Sequence, residues 1–383
     1  MDNNHRSRIL HVINSMNPGG IENWLMNLLR VNDKDLFQVD FLVHTTKSGA
    51  YDKEILSLGS NILRSPWHKR PFKYSREIKR LINKHGPYNV IHSHVHHFSG
   101  WVLRSAFHAG IPIRISHSHS NITELISRSG WIRKAYYIYM KYLVRKYASI
   151  GIACSNQSAK SLFGSKWKTD PRWRIVYCGI DVDLFKKSVE KSSIRKQLGI
   201  PSDSVVVGHV GRFHEDKNHA FIIDIFSEII RNDSSVYLLL VGDGGGLINI
   251  KKLVQAKGLH NKIIFSGLRN DINELMIGAM DIFLFPSLRE GMGLAIIEAQ
   301  AAGLPCVLSE HIPHEADIIP SLIYRIPLSK GAKEWAKLII DIHKMKRGEG
   351  TSNNKFFQIV LNSPFNLKVG KLKLEKIYGQ EYY

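Results

Sequence analysis

The sequence predicts an α/β protein made of two similar domains, each with a parallel β-sheet covered by helices. The chain has 383 residues, 44% of them hydrophobic, which is more than one core usually organises. Short apolar runs alternate with helical patterns, as in parallel α/β sheets. The alternation restarts after a polar, Lys/Ser-rich segment at 186–204. We therefore predict domains at 1–187 and 188–362, with a final segment at 363–383.

Apolar runs predict the strands of the first domain, because buried parallel strands are apolar on both faces. These runs lie at 9–13, 39–43, 89–91, 111–116, 150–154 and 174–177. After the first run, Gly19-Gly20 precedes a helical pattern at 21–29. A Gly pair that opens a helix lets the backbone approach a ligand closely, although such pairs more often form ordinary turns.

Histidines are concentrated after two of these predicted strands, as His92, His94, His96 and His97, and then as His117 and His119. Imidazoles are good zinc ligands, but no cysteine or carboxylate constellation accompanies them. Local hydrogen bonding in a cleft is a second interpretation. We favour a third, in which the histidines face one crevice and contact a polar or phosphorylated ligand.

Residues 129–149 combine tyrosines, Trp131 and aliphatic residues with five basic residues. The pattern predicts a long helix, and an ordinary packed helix with a solvated basic face explains it. A helix lying on a membrane surface also explains it, because Trp and Tyr suit the headgroup region and Lys and Arg attract anionic lipid.

The second half contains four further predicted strands, at 205–210, 236–241, 263–265 and 282–285. Arg212 and Lys217 follow the first of them, just before a helix predicted at 220–230. Two fixed cations beside a helix N-terminus suit a diphosphate, although a solvated basic loop is the alternative. Preorganised cations stabilise a departing diphosphate without a metal. The second half lacks the Asp-x-Asp element that a metal would require; Asp33/Asp35 and Asp181/Asp183 have that spacing, but we interpret them as turn residues.

A strand, a Gly-containing loop and a helix in succession occupy 279–306. Glu290 precedes the loop, and Glu298 lies about two turns into the helix. Capping by Glu290 and solvation of Glu298 are possible in principle. However, Glu298 stands among small and apolar residues, where a carboxylate needs a partner such as a ribose diol or a cation.

The chain carries 53 Lys and Arg against 33 Asp and Glu, a net charge of +20 and a pI near 9.7. Such a charge favours anionic partners. The cysteines Cys154, Cys178 and Cys306 are odd in number and widely separated, which indicates a reducing compartment. With no signal-peptide pattern and no bilayer-length apolar run, we expect a cytoplasmic protein, peripheral on the inner face of the cell membrane.

Four motifs together resemble the family 4 glycosyltransferases, over nearly the whole chain. They are Gly19-Gly20-Ile21-Glu22, Gly211-Arg212-Phe213 with Lys217-Asn218, Val241-Gly242-Asp243-Gly244, and Glu290-Gly-x-Gly-Leu-x-x-x-Glu298. The branch that assembles bacterial capsule and exopolysaccharide is the most similar. The resemblance implies the GT-B fold, in which two Rossmann-like domains face a central cleft. It also implies transfer of a sugar, with retention, from a nucleotide-diphosphate sugar, most commonly a UDP-sugar.

The resemblance implies a role for each matching residue. Arg212 and Lys217 hold the diphosphate, Glu298 binds the ribose, and backbone near Leu268 and Arg269 meets the base. Glu290 and the loop Gly291, Met292, Gly293 and Leu294 hold the donor sugar. Gly20 closes over donor and acceptor, and His119 lies on the acceptor side. Glu290, His119, Arg212 and Lys217 are the expected catalytic residues. No metal or other cofactor is expected, and the final segment 365–378 is expected to return to the first domain as a helix.

Cys178 and Met292 depart from this family's pattern, which often has Asn and Phe there. The expected partners are a nucleotide-sugar donor, a saccharide or polyprenyl-diphosphate-linked acceptor and an anionic membrane surface, with no nucleic acid. A UDP-sugar epimerase or hydrolase of the same fold is the alternative. The charge of +20 also suggests nucleic-acid binding as an alternative, but we find no nucleic-acid-binding motif.

Overall fold

The computed structural model describes residues 6–187, 189–346 and 353–379. The chain divides into two compact units. The first unit comprises Met1–Gly179 and Leu367–Tyr383, and the second comprises Ile180–Asn366. The predicted domain limits, after residues 187 and 362, differ from these divisions by eight and four residues.

The first unit contains a seven-stranded parallel sheet in the order β3-β2-β1-β4-β5-β6-β7. Its strands are β1 (Ser7–Ile13), β2 (Phe37–Val43), β3 (Ile62–Arg64), β4 (Val90–Ser93), β5 (Ile113–Ser118), β6 (Ile150–Ala153) and β7 (Trp173–Ile175). The helices that connect them are α1 (Gly20–Arg30), α2 (Asp52–Ser57), α3 (Pro71–His85), α4 (Ser99–His108), α5 (Thr123–Ser127), α6 (Trp131–Tyr147) and α7 (Asn156–Phe163). Most residues of these strands are buried, because helices cover both faces of such a sheet.

The second unit contains a six-stranded parallel sheet in the order β10-β9-β8-β11-β12-β13. Its strands are β8 (Val206–Val210), β9 (Tyr237–Val241), β10 (Ile263–Gly267), β11 (Ile282–Phe285), β12 (Cys306–Leu308) and β13 (Ile323–Arg325). Its helices are α8 (Lys191–Gln197), α9 (His219–Asn232), α10 (Leu247–Ala256), α11 (Ile272–Gly278), α12 (Leu294–Ala301), α13 (Gly331–Lys346) and α14 (Asn353–Leu361). The last helix of the chain, α15 (Leu367–Tyr378), belongs to the first unit.

The strand order reverses between β1 and β4 in the first sheet and between β8 and β11 in the second. Open parallel sheets bind ligands beyond the carboxyl ends of the strands at such a reversal. The predicted α/β fold with two Rossmann-like units is therefore confirmed, and each unit carries one such position.

The predicted strands are present, with their ends moved by a few residues. His92 and His117 lie inside β4 and β5 rather than after them. Sequence analysis missed β3, β12 and β13, which have three residues each. The predicted turn role of Asp33 and Asp181 is confirmed, since each carboxylate accepts the backbone N–H two residues later, at 3.0 and 3.2 Å.

None of the helices in the described residues is both long enough and apolar enough to cross a bilayer. The three cysteines are buried and free of disulfide bonds.

Candidate functional site

The loops that follow β8 and β11 meet at the carboxyl edge of the second sheet. Lys217 Nζ donates to Glu290 Oε1 at 2.5 Å, and the two side chains are 22% and 11% exposed. Asn218, at φ +57°, donates through Nδ2 to the carbonyl of Pro286 at 3.2 Å. Asn tolerates this left-handed conformation better than most residues. The structure thus brings together Lys217 and Glu290, which sequence analysis assigned to one site.

A second pair clamps the same two loops. Arg289 contacts Asp216 Oδ1 through two guanidinium nitrogens, at 2.5 and 2.7 Å. The backbone N–H of Leu288 donates to the carbonyl of Asp216 at 2.7 Å. Sequence analysis missed this clamp, because nothing in the local sequence connects positions 73 residues apart.

Arg212 follows β8 in the same loop and is exposed at the edge of the sheet. Lys217 Nζ lies 4.7 Å from the centroid of the Phe285 ring. That ring carries partial negative charge on its face, which favours the ammonium group. Two cations therefore stand at this edge, and a carboxylate and an aromatic ring hold Lys217 in place.

Glycines allow the loop after β9 to pack closely on the loop after β8. Gly244 has φ +152°, and a Cβ there would lie 2.7 Å from the carbonyl oxygen of Phe213. Gly242 has φ +139°, and a Cβ there would lie 2.2 Å from the carbonyl oxygen of Gly211. Any side chain at either position would push the Arg212 loop away.

The loop predicted to hold the donor sugar leads directly into α12. Gly293, at φ +83°, is the N-cap residue, and Leu294 is the first residue of the helix. Glu290 therefore does not cap this helix; it pairs with Lys217. Met292 is buried, with 4% of its surface exposed. The positive end of the helix dipole and the first backbone N–H groups of α12 lie beside Glu290 in sequence, which suits a polar ligand.

Glu298 lies in the second turn of α12. Burial raises its pKa to about 7 from an ordinary value of 4.5. Within the described residues, its carboxylate has no hydrogen-bond or ion-pair partner. A carboxyl group in this environment is half protonated near neutral pH and gains from hydrogen-bond donors. Those properties suit the hydroxyl groups of a ribose.

Leu268 and Arg269 follow β10, also at the carboxyl edge of the second sheet. The Leu268 side chain is 55% exposed, and Arg269 is paired with Asp271 at 2.5 Å. The ion pair engages the guanidinium and leaves the backbone as the part of this segment suited to a base.

Gly20 and His119 belong to the first unit. Gly20 is the exposed first residue of α1, and a Cβ there would meet no atom of the chain within 4 Å. His119 follows β5. Its Nε2 is 2.8 Å from His94 Nδ1, and its Nδ1 is 3.6 Å from Cys178 Sγ. Burial lowers the pKa of His119 to about 3, so this imidazole is neutral at physiological pH.

Comparisons with known proteins divide the chain at a similar place. Residues 18–184 match the family model described as Glycosyltransferase Family 4, and residues 190–354 match the model described as Glycosyl transferases group 1. EpsF of Bacillus subtilis (strain 168), named as a glycosyltransferase, is 34% identical over 340 residues, covering 88% of each chain.

A second relative is an enzyme of Escherichia coli. The UDP-Gal:alpha-D-GlcNAc-diphosphoundecaprenol alpha-1,3-galactosyltransferase of Escherichia coli is 29% identical over 245 residues, 61% of this chain and 62% of that one. Among solved structures, HepE of Anabaena in complex with UDP and glucose has a TM-score of 0.80 at 20% identity, covering 99% of this chain and all of HepE. That structure supports the two-unit fold.

Proposed function

The chain belongs to the family 4 glycosyltransferases, and from this we propose that it transfers a sugar from a UDP-sugar with retention of anomeric configuration. The proposed acceptor is a saccharide or a polyprenyl-diphosphate-linked sugar, in the synthesis of capsule or exopolysaccharide. The name of the E. coli relative includes a UDP-galactose donor and a diphosphoundecaprenol-linked acceptor, which supports both parts of the proposal.

The observation that carries the proposal is the pairing of Lys217 with Glu290 at 2.5 Å beside the helix that presents Glu298. In our proposal, Lys217 and Arg212 hold the diphosphate. Charge develops on the diphosphate as the bond to the sugar breaks, and cations already in place stabilise that charge without reorganisation. The proposed reaction therefore needs no metal ion for departure of the diphosphate.

Glu290 connects the diphosphate position to the donor sugar. Its carboxylate has two oxygens, and the pair with Lys217 uses Oε1. We propose that Glu290 and the backbone of Gly291 to Leu294 accept and donate hydrogen bonds to the sugar hydroxyls. Glu298 then accepts hydrogen bonds from the ribose, and His119 lies with the acceptor.

Calorimetric titration of the protein with UDP and with GDP, in EDTA, tests the donor site. We expect tight binding of UDP, weakened at least about tenfold in Lys217→Ala and in Glu298→Ala, because each loses a charged hydrogen bond. Glu334→Ala and Lys337→Ala are matched controls, since both residues are exposed on α13 of the same unit. Equal affinity in all five proteins would remove the proposed site.

Product analysis distinguishes transfer from the epimerase or hydrolase alternative. A transferase releases UDP from its donor in proportion to the acceptor supplied, and the sugar appears on the acceptor. Release of UDP at the same rate without acceptor would instead favour the epimerase or hydrolase.

We also propose that the first unit binds an anionic membrane surface through α6 and the start of α3. Trp131, Ile132 and Ile138 of α6 are 79%, 68% and 70% exposed, and Phe72 of α3 is 78% exposed. The rings of Phe72 and Tyr139 both pack against Trp101, at 6.1 and 6.4 Å between centroids. One apolar surface thus extends from α3 to α6.

Basic residues surround this surface, and α6 contains no acidic residue. Each Lys or Arg near an anionic surface contributes about 1 kcal/mol. Vesicle sedimentation tests the proposal: we expect more protein on anionic than on neutral vesicles, and less binding of Ile138→Ser and Lys134→Glu. Lys252→Glu, exposed on α10 of the second unit, is the control for a general change in charge. Equal sedimentation with both kinds of vesicle would contradict the proposal.

A further inference from the structure

Five buried or mostly buried histidines meet at the strand-order reversal of the first sheet. His11 lies in β1 and His92 in β4, where the two are aligned partners. His94 follows β4, His117 lies in β5, and His119 follows it. Residues two apart on a strand point to the same side, so β4 and β5 each present a pair of imidazoles. The family assignment accounts for His119 alone.

Three of these imidazoles bring nitrogen atoms to one place. The ligand atoms of His94, His117 and His119 lie within 4.8 Å of one another. His94 Nδ1 and His119 Nε2 are 2.8 Å apart, and the rings of His117 and His119 are stacked at 3.8 Å between centroids. His117 Nε2 is buried and has no hydrogen-bond partner within the described residues.

The opposite nitrogen of each of these three rings contacts a second group. His94 Nε2 is 2.9 Å from His11 Nδ1, and His117 Nδ1 is 3.1 Å from His92 Nε2. His119 Nδ1 is 3.6 Å from Cys178 Sγ. Metal-binding histidines usually donate their other ring N–H to an acceptor, most often a carboxylate, a backbone carbonyl or water, and this fixes the tautomer that points a lone pair at the metal. Here two imidazoles and a thiol occupy the acceptor positions.

One assignment of protons satisfies the contacts that the three opposite nitrogens make. If His117 Nδ1–H donates to His92 Nε2, then His92 carries its own proton on Nδ1 and donates to Tyr378 Oη, 2.8 Å away. His94 Nε2–H donates to His11 in the same way. The lone pairs on His94 Nδ1, His117 Nε2 and His119 Nε2 then converge.

We propose that His94, His117 and His119 bind one divalent transition-metal ion of the Zn²⁺ class. Three imidazoles and one open position form a common zinc ligand set. From the sequence we expected no metal, because the histidines lacked a cysteine or carboxylate constellation. The structure supplies instead three converging nitrogens, each with a neighbour for its other nitrogen.

The three nitrogens can also be reached by an ion. His119 is partly accessible, which provides a path of entry.

The alternative is that His94 and His119 simply share a proton in a metal-free network. A second group of nitrogens, from His11, His92 and His94, is also compact. It is the weaker candidate, because both nitrogens of His92 are already in contact with Tyr378 and His117.

Calorimetry with Zn²⁺ and visible absorption with Co²⁺ test the proposal on protein without a polyhistidine tag, after removal of EDTA. We expect one tight site per chain, with the absorption of a tetrahedral Co²⁺ complex. His117→Gln and His119→Gln each lose a ligand, so affinity should fall by more than about 100-fold, beyond the usual loss from changing a neighbour of a ligand. His11→Ala, a neighbour of a ligand, should weaken binding by about 10- to 100-fold.

The control is His260→Ala, because His260 is exposed in the second unit and should leave the tight site intact. Circular dichroism identifies any variant that fails to fold. If the buried His117→Gln variant does not fold, the partly accessible His119→Gln variant decides. Zn²⁺ binding of the same strength in wild type and His119→Gln, or no tight site in wild type, would overturn the proposal in favour of a proton-sharing network.

The proposed metal site has one consequence that depends on the proposed function. An ion on His119 would occupy the residue assigned to the acceptor side, so Zn²⁺ should inhibit transfer. UDP binding, which involves the second unit, should remain. Loss of Zn²⁺ binding would refute only the metal site, whereas loss of UDP binding to wild type would refute only the donor site.

Discussion

The substitution Glu298→Gln tests the donor site through the protonation of the Glu298 carboxyl group. The folded state raises the pKa of Glu298 from 4.5 to about 7. Between these values the unfolded chain has released the proton and the folded chain has retained it. Folding stability therefore decreases as pH rises from about 4.5 to about 7. At about 1.4 kcal/mol per pH unit, the total loss is on the order of 3 kcal/mol.

Glutamine has a similar shape and no charge, so the variant should avoid this loss. Urea denaturation, monitored by hydrogen exchange in peptides from the second unit, should give wild type and Glu298→Gln equal stability at pH 4.5. At pH 8 we expect the variant to be more stable by up to about 3 kcal/mol. An advantage for the variant that is independent of pH would contradict the assigned pKa.

UDP binding should reverse the preference for protonation. Ribose hydroxyls that donate to the carboxylate favour its ionised form and lower its pKa. At pH 7, where the carboxyl is about half protonated, binding should therefore release about half a proton from Glu298. Calorimetry in two buffers of different ionisation enthalpy measures this release, and Glu298→Gln provides the background from UDP itself. Equal proton release by both proteins would refute the contact between Glu298 and the ribose.

Three further substitutions have distinct expected outcomes. Gly20→Ala should fold with unchanged or slightly higher Tm, because its Cβ meets no atom of the chain within 4 Å, while kcat/KM should fall if substrate occupies that space; unchanged kinetics would exclude Gly20 from the site. Gly293→Ala should lose about 1–3 kcal/mol in urea denaturation, because φ is +83° and its Cβ would lie 2.8 Å from Ile296 Cδ1; equal stability would show that the loop adjusts. Arg289→Ala breaks the pair with Asp216 that clamps the Lys217 loop, so calorimetry should show UDP affinity about tenfold lower. The loss of stability should be less than about 1 kcal/mol, since the pair is partly exposed. Unaltered UDP affinity would show that Lys217 is positioned without the clamp.

The fold could be predicted because its buried strands are nearly continuous apolar runs. Ile282–Phe285 was located without error for this reason. The strands β12 and β13 could not be predicted, because three residues are too few to show a hydrophobic pattern. Likewise, the apolar neighbours of Glu298 in the sequence indicated a carboxylate in an unusual environment. Its pKa of about 7 depends on packing, which the sequence does not show.

The Arg289–Asp216 clamp and the place of His11 in the histidine cluster were missed by the sequence analysis for the same reason. Both join residues of different strands or of the loops that follow them, so they depend on strand order and register. β8 lies next to β11 in the sheet, although β9 and β10 lie between them in the chain. Charged residues that follow two such strands can meet only because the order is not that of the chain.

Register decides the histidine cluster even more strictly. Ser93 of β4 is aligned with Ser116 of β5, and His11 of β1 is aligned with His92. Because side chains alternate with a period of two, a slip of one residue would turn every histidine of one strand to the opposite face. His117 would then lose His92 as the acceptor for Nδ1, and His119 would lose His94. The arrangement of converging nitrogens with partnered opposite nitrogens therefore requires the observed pairing of β1, β4 and β5, and the His11→Ala variant probes whether the outermost member of that pairing supports the ligands.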